Sequence, residues 1–233
     1  MSAQTSSSTQ TSSATQDYLK AIYQLAERPP PAPASVLVST TALAQRLDVS
    51  AASATNMLKR LDQLGLVAHV PYHGARLTER GRAVALEVVR HHRLLETYLA
   101  QALGVPWDEV HAEAEILEHV LSEELEERIS AHLGHPTLDP HGDPIPGKDL
   151  SVPEPVRTNL WDGPEGRRLV VERVSDAEPE ALRYLAELGI GLGTIVEVAG
   201  RGPVGGPLFV TLPGTDDQEI ALSREISEAI WVS

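Results

Sequence analysis

The chain has 233 residues, 42% of them hydrophobic, which is enough to pack a core in two or three domains. It contains no cysteine, which excludes disulfide staples, all-cysteine zinc sites and thiolate nucleophiles, so any metal site must use His, Asp, Glu or thioether ligands. The formal charge of −14 is unevenly divided: residues 1–90 carry nine basic and six acidic side chains, net +3, leaving −17 beyond, so phosphate contact stays open to the front part and cation binding to the rear.

Residues 1–15 hold ten Ser or Thr and no large apolar side chain, which predicts a disordered tail. They are too polar for the core of a signal peptide. No later run approaches the eighteen or so apolar residues of a membrane span, so the expected location is cytoplasmic, with no membrane partner. Apolar residues recur at helical spacing from Asp17 to Glu27, and the prolines of segment 28–33 then end that helix.

Thr40-Thr41 offers a cap for a helix over Ala42–Leu47. Asp48-Val49-Ser50 is a turn, and Ala52–Leu64 is a second amphipathic helix closed by Gly65. Leu66–Val70, a turn at Pro71–Gly74 and Ala75–Thr78 read as a hairpin. Helix-turn-helix followed by a hairpin is a winged helix. The second helix opens with small and hydrogen-bonding side chains, a chemistry that suits close approach to a major groove or, equally, capping and tight packing. The candidate DNA-facing residues are Thr41, Ser50, Ala52, Ser53, Asn56 and Arg60, with His73 and Arg76 on the wing.

A long helix is expected over Glu79–Ala102, ending at Gly104, and another over Trp107–Leu133. On the latter, His111, Glu115, Glu118 and His119 fall within an arc of about 100°, and the apolar residues Val110, Ile116, Leu117, Val120 and Leu121 lie opposite. Two imidazoles and two carboxylates within two turns can converge on a cation, and an acidic solvated face has the same spacing. His92 and Glu96 form a second such pair on the preceding helix. The Pro/Gly-rich segment that follows reads as an extended linker. Short alternating runs then surround one helix over Pro179–Leu188, which fits a small β-barrel of about 65 residues.

The expected architecture is therefore α+β and multidomain. It comprises a tail at 1–15, a winged helix-turn-helix DNA-binding domain at 16–78, and a helical dimerisation and metal-binding domain at 79–140. A linker at 141–166 and an SH3-like β-barrel at 167–233 complete it.

Over about residues 16–233 these segments, in this order, resemble the diphtheria toxin repressor family, including its manganese transport regulator branch. The resemblance rests on Asp17-Tyr18-Leu19-Lys20-Ala21-Ile22-Tyr23, His92-Arg93-Leu94-Leu95-Glu96, the run from His111 to Ser122, and Asp143-Pro144-Ile145-Pro146-Gly147. It implies a homodimer on a double-stranded DNA operator. It also implies a primary metal site of Asp17, Glu115, Glu118 and His119, and an ancillary site of His92, Glu96, His111 and Glu178. Asp176 and Glu180 are close enough to replace Glu178, and Ala181 stands where a Gln can ligate. Iron-type members have Met at the Asp17 position and Cys at the Glu115 position. Two carboxylates here harden the site toward Mn²⁺, with Fe²⁺ the alternative. Lys20 stands where some manganese-type members have a Glu that builds a bridged second ion, and the proline-rich loop is longer than usual.

The resemblance further implies that one ion joins the first helix of the DNA-binding domain to the dimer domain. That would fix the spacing of the two DNA readers and shut off metal-uptake genes when the ion is plentiful. Two rivals stand beside this reading. The first is a winged-helix regulator of an organic ligand without metal dependence. The second, a dimetal enzyme, needs Glu-x-x-His repeated on separate helices, which this chain lacks; no enzymatic activity is expected.

Overall fold

The computed structural model describes residues 12–27, 37–154, 156–214 and 219–233. Segment 28–33 and residues 1–11 of the expected tail lie outside the described residues. The chain divides into two compact units, one running to Val89 and the other from Arg90 to Ser233.

In the first unit, α1 spans Ser13–Glu27, so it begins at Ser13 rather than near Asp17. Ser12 starts it. Its carbonyl accepts from the Thr15 and Gln16 amides, and its hydroxyl lies 3.0 Å from Thr15 Oγ1. Ser and Thr build no core but cap well, so this polar stretch is ordered where it meets the amphipathic run.

Helix α2 (Thr40–Arg46) is capped by Ser39, one residue before the expected Thr pair, and α3 (Ala51–Gln63) by Ser50, whose hydroxyl accepts from the Ser53 amide at 3.1 Å. Leu19 and Ile22 of α1, Leu43 of α2, and Leu58 and Leu61 of α3 are fully buried, each contributing about 1.5–3 kcal/mol. Strands β1 (Val67–Val70) and β2 (Gly74–Leu77) pair antiparallel, and Val38 bridges to Ala75. Gly74 has φ +121, and a Cβ there would fall 2.1 Å from the Val38 carbonyl oxygen, so glycine is required where the hairpin meets that segment. The unit is a winged helix-turn-helix.

Helix α4 (Glu79–Leu103) starts in the first unit and ends in the second. The expected single helix over Trp107–Leu133 is two helices, α5 (Val110–Leu117) and α6 (Glu123–His132). The break follows from Ser122, whose hydroxyl accepts from the Leu125 amide at 3.3 Å, and from Glu123, Glu124 and Glu126 in the first turn of α6, a strong local start signal. The expected continuous apolar face is divided too: Val110 is buried, whereas Ile116 and Val120 are 69% and 78% exposed. Leu94 and Leu95 of α4, Ala114 of α5, Ile129 of α6 and Ile145 form one core.

The segment expected as a linker is packed at its start. His141 is fully buried, and the Val174 amide donates to its carbonyl at 2.8 Å. A Cβ on Gly142 (φ +87) would fall 2.1 Å from the Glu172 carbonyl oxygen, so the chain passes directly against β3.

Strands β3 (Arg168–Val174), β4 (Ile195–Arg201), β5 (Leu208–Thr211), β6 (Ile220–Leu222) and β7 (Ile230–Val232) form an antiparallel sheet ordered β6-β5-β4-β3-β7. Alternate residues Val171, Val196, Val198, Leu208 and Val210 join Leu182 and Leu185 of α7 (Pro179–Glu187) in a second core. This is the SH3-like domain. Among the described residues no helix is long and apolar enough to cross a membrane.

Candidate metal centre and DNA-facing helix

Helix α4 sets His92 and Glu96 one turn apart, both buried. Helix α5 brings His111 to them, and the loop after β3 brings Asp176. His92 Nε2 lies 2.9 Å from Glu96 Oε1 and 3.1 Å from His111 Nδ1; that same His111 nitrogen lies 3.2 Å from Glu96 Oε1 and 3.0 Å from Asp176 Oδ2. One ligand atom from each of these four residues lies within 4.8 Å of the others. Imidazole and carboxylate donors gathered in this way suit a divalent first-row cation.

The electrostatics are those of a charged cluster. Burial alone would lower the His111 pKa, but hydrogen bonds to Asp176 and Glu96 raise it to about 10. Burial alone would raise Glu96, but the charge of His92 and hydrogen bonds from His111 and His92 hold it at about 2. Asp176 is driven well below the usual carboxylate range, against the effect of burial, by its hydrogen bond from His111.

Glu118 and His119 follow the end of α5. Glu118 is buried, its Oε2 2.5 Å from His92 Nδ1, and its Oε1 lies 3.7 Å from His119 Nε2. Glu115 sits one turn from His111, at 3.7 Å, and offers a ligand atom within 4.8 Å of those of His92 and Glu118. Through His92 the two expected ligand sets of this unit are contiguous. Asp17 lies on α1 in the first unit.

Of the residues offered for the last ancillary ligand, Glu178 is exposed at the start of α7 and makes no side-chain capping bond, while Asp176 meets His111. The end of β3 is held by the Val174 bond to His141 and by the Ser175 amide donating to Ala229, so the nearby Asp176 stays at the cluster. Asp139 and His141 are buried beside Glu96, in a segment whose proline and glycine content reads as linker.

In the first unit, Thr41, Ser50, Ala52, Ser53, Asn56, Arg60, His73 and Arg76 are all exposed. Ser50 also accepts from Ser53, so the start of α3 combines capping with an open surface. Tyr72, at φ +66 in the wing turn, is also fully exposed.

Three family models match the chain: "Iron dependent repressor, N-terminal DNA binding domain" at residues 10–75, "Iron dependent repressor, metal binding and dimerisation domain" at 78–147, and "FeoA domain" at 158–233. The iron-dependent repressor IdeR of Mycobacterium tuberculosis (strain ATCC 25618 / H37Rv) is 34% identical, covering 94% of this chain and 96% of the relative. The diphtheria toxin repressor of Corynebacterium diphtheriae (strain ATCC 700971 / NCTC 13129 / Biotype gravis) is 30% identical, covering 80% and 84%. Among solved structures, a manganese-dependent transcriptional repressor in complex with manganese superposes with a TM-score of 0.86 at 44% identity, covering 94% of this chain and 98% of that one.

Proposed function

This chain belongs to the diphtheria toxin repressor family of metal-dependent, DNA-binding transcriptional regulators, and we propose that Mn²⁺ is its ion, with Fe²⁺ the alternative, and that it represses metal-uptake genes when the ion is plentiful. The observation that carries the metal reading is the convergence of His92, Glu96, His111 and Asp176 in a chain with no cysteine. Oxygen and imidazole donors favour Mn²⁺ or Fe²⁺ over soft ions.

In this reading Glu115, Glu118 and His119 hold the primary ion, with Asp17 carried over from the family motif. His92, Glu96, His111 and Asp176 hold the ancillary one. A bound ion supplies positive charge that offsets the clustered carboxylates. His92, bonded to Glu118 on one side and Glu96 on the other, keeps the two sets in register. Ser50, Ala52, Ser53 and Asn56 face the major groove, while Thr41, Arg60, His73 and Arg76 position the domain on phosphates. A homodimer presents two such helices to a two-half-site operator in the cytoplasm. No catalytic step is assigned to the chain.

The test is binding to the chain's own upstream DNA and to metal-uptake promoters, in chelator and in Mn²⁺, Zn²⁺ or anaerobic Fe²⁺, for the native protein and Glu118→Ala. Mn²⁺ should tighten binding roughly ten- to hundredfold, and the variant should lose that gain. Equal affinity in chelator and in every metal would overturn the reading and favour a regulator of an organic ligand.

A further inference from the structure

His141 is fully buried and stacks on Trp107 with ring centroids 5.9 Å apart. Its Nε2 lies 2.7 Å from the Trp107 carbonyl oxygen, which can only accept, so Nε2 donates and carries the proton. Nδ1 is then the nitrogen with a lone pair, and it is buried with no hydrogen-bond partner. Donating one ring N–H to a backbone carbonyl is the usual way a ligating histidine is oriented, with the other nitrogen turned to the metal.

The neighbours have the matching character. Glu96 and Asp139 are buried, and one ligand atom from each of Glu96, Asp139 and His141 lies within 4.8 Å of the other two. Burial, then the nearby charges of Asp143 and Glu96, push the Asp139 carboxyl well above its usual range. Arg93 is 3.6 Å from Asp139 but is shared with Asp143 and the Pro144 carbonyl, so it offsets only part of this charge. Glu96 contacts His92 and His111 through Oε1, and a carboxylate has two oxygens with which to bridge two ions.

We propose that Glu96, Asp139 and His141 form an inner divalent-cation position adjoining the His92, His111 and Asp176 group, with the Glu96 carboxylate bridging the two. One imidazole and two carboxylates make it a site for Mn²⁺-class ions. It shares Glu96 with the ancillary set but does not depend on DNA binding.

Equilibrium dialysis with Mn²⁺ alone tests it on the full-length protein. Asp139→Asn keeps an amide oxygen able to accept from the His141 and Asp143 amides, bonds of 2.8 and 2.9 Å, so the turn is preserved. Asp139→Asn and His111→Gln should each bind one ion per chain fewer, and the double variant two fewer, with circular dichroism verifying the fold. An unchanged ion count in folded Asp139→Asn overturns the proposal. Because the chain has no cysteine, Asp139→Cys adds a single thiolate, and Co²⁺ should then produce a thiolate-to-cobalt charge-transfer band absent from the native protein. Its absence in folded protein counts against the site. These readouts stand apart from the DNA test: metal-independent DNA binding with an ion lost in Asp139→Asn sinks only the regulator reading, and the reverse pattern sinks only this site.

Discussion

His111 has one nitrogen shared between two carboxylates, and that contact sets the pH behaviour of the metal-free cluster. Its pKa is raised from 6.5 to about 10, so its contribution to stability is fully present below pH 6.5 and is lost as pH rises through about 10. Glu96 is lowered from 4.5 to about 2, so its contribution is present above pH 4.5 and is lost as pH falls through about 2. In chelator, the difference in denaturation midpoint between the native protein and His111→Gln should therefore be largest between about pH 4.5 and 6.5 and shrink as pH rises toward 10. A difference that stays constant with pH would contradict the charged-cluster account. A metal must also displace the His111 proton, so apparent Mn²⁺ affinity at this cluster should climb about tenfold per unit between pH 7 and 9. The histidines and glutamates on α4 and α5 were legible in the sequence because a helix fixes spacing locally. Asp176 was not separable from Glu178, since the choice depends on how the end of β3 is held against the His141 loop.

At the scale of elements, local signals carried the first unit and the sheet, and tertiary packing overrode composition in the segment leading to β3. Helix α3, the wing and five strands follow from caps, turns and alternation, each readable within about ten residues. The break between α5 and α6 was also written locally, in Ser122 followed by three glutamates, but the apolar periodicity running through it masked it. The segment around Asp139–Ile145 reads by composition as an extended linker. Buried His141 and Ile145, with Gly142 against Glu172, make it part of the second unit. The cap of α3 gives a sharp test, because Ser50 is exposed and its hydroxyl bond to the Ser53 amide is local. Ser50→Ala should cost about 1 kcal/mol in urea unfolding and Ser50→Gly only a few tenths. Equal losses would mean that Ser50 acts through something other than the cap.

For the molecule as a whole, the charge division seen in the sequence agrees with the domain order. The basic part carries the winged helix, and the acidic part carries every proposed metal ligand except Asp17. The apolar exposure points to the partner. Ile116, Leu117 and Val120 lie at and just beyond the end of α5 with large fractions exposed, within a segment that matches a dimerisation domain. Solitary exposed apolar residues are ordinary, but three within five positions on a surface otherwise rich in glutamate suit burial against a second copy. The same segment carries Glu115, Glu118 and His119, so dimer contact and metal ligation would constrain one stretch of chain from two sides. Val120→Glu puts a charge on this surface and replaces no proposed ligand. Sedimentation should show it shifting toward monomer, and Mn²⁺-dependent affinity for a two-half-site operator should fall at least tenfold while binding to an isolated half-site changes little. If Val120→Glu remains a dimer, the partner copy docks elsewhere, and the apolar cluster at the end of α5 would need a different occupant.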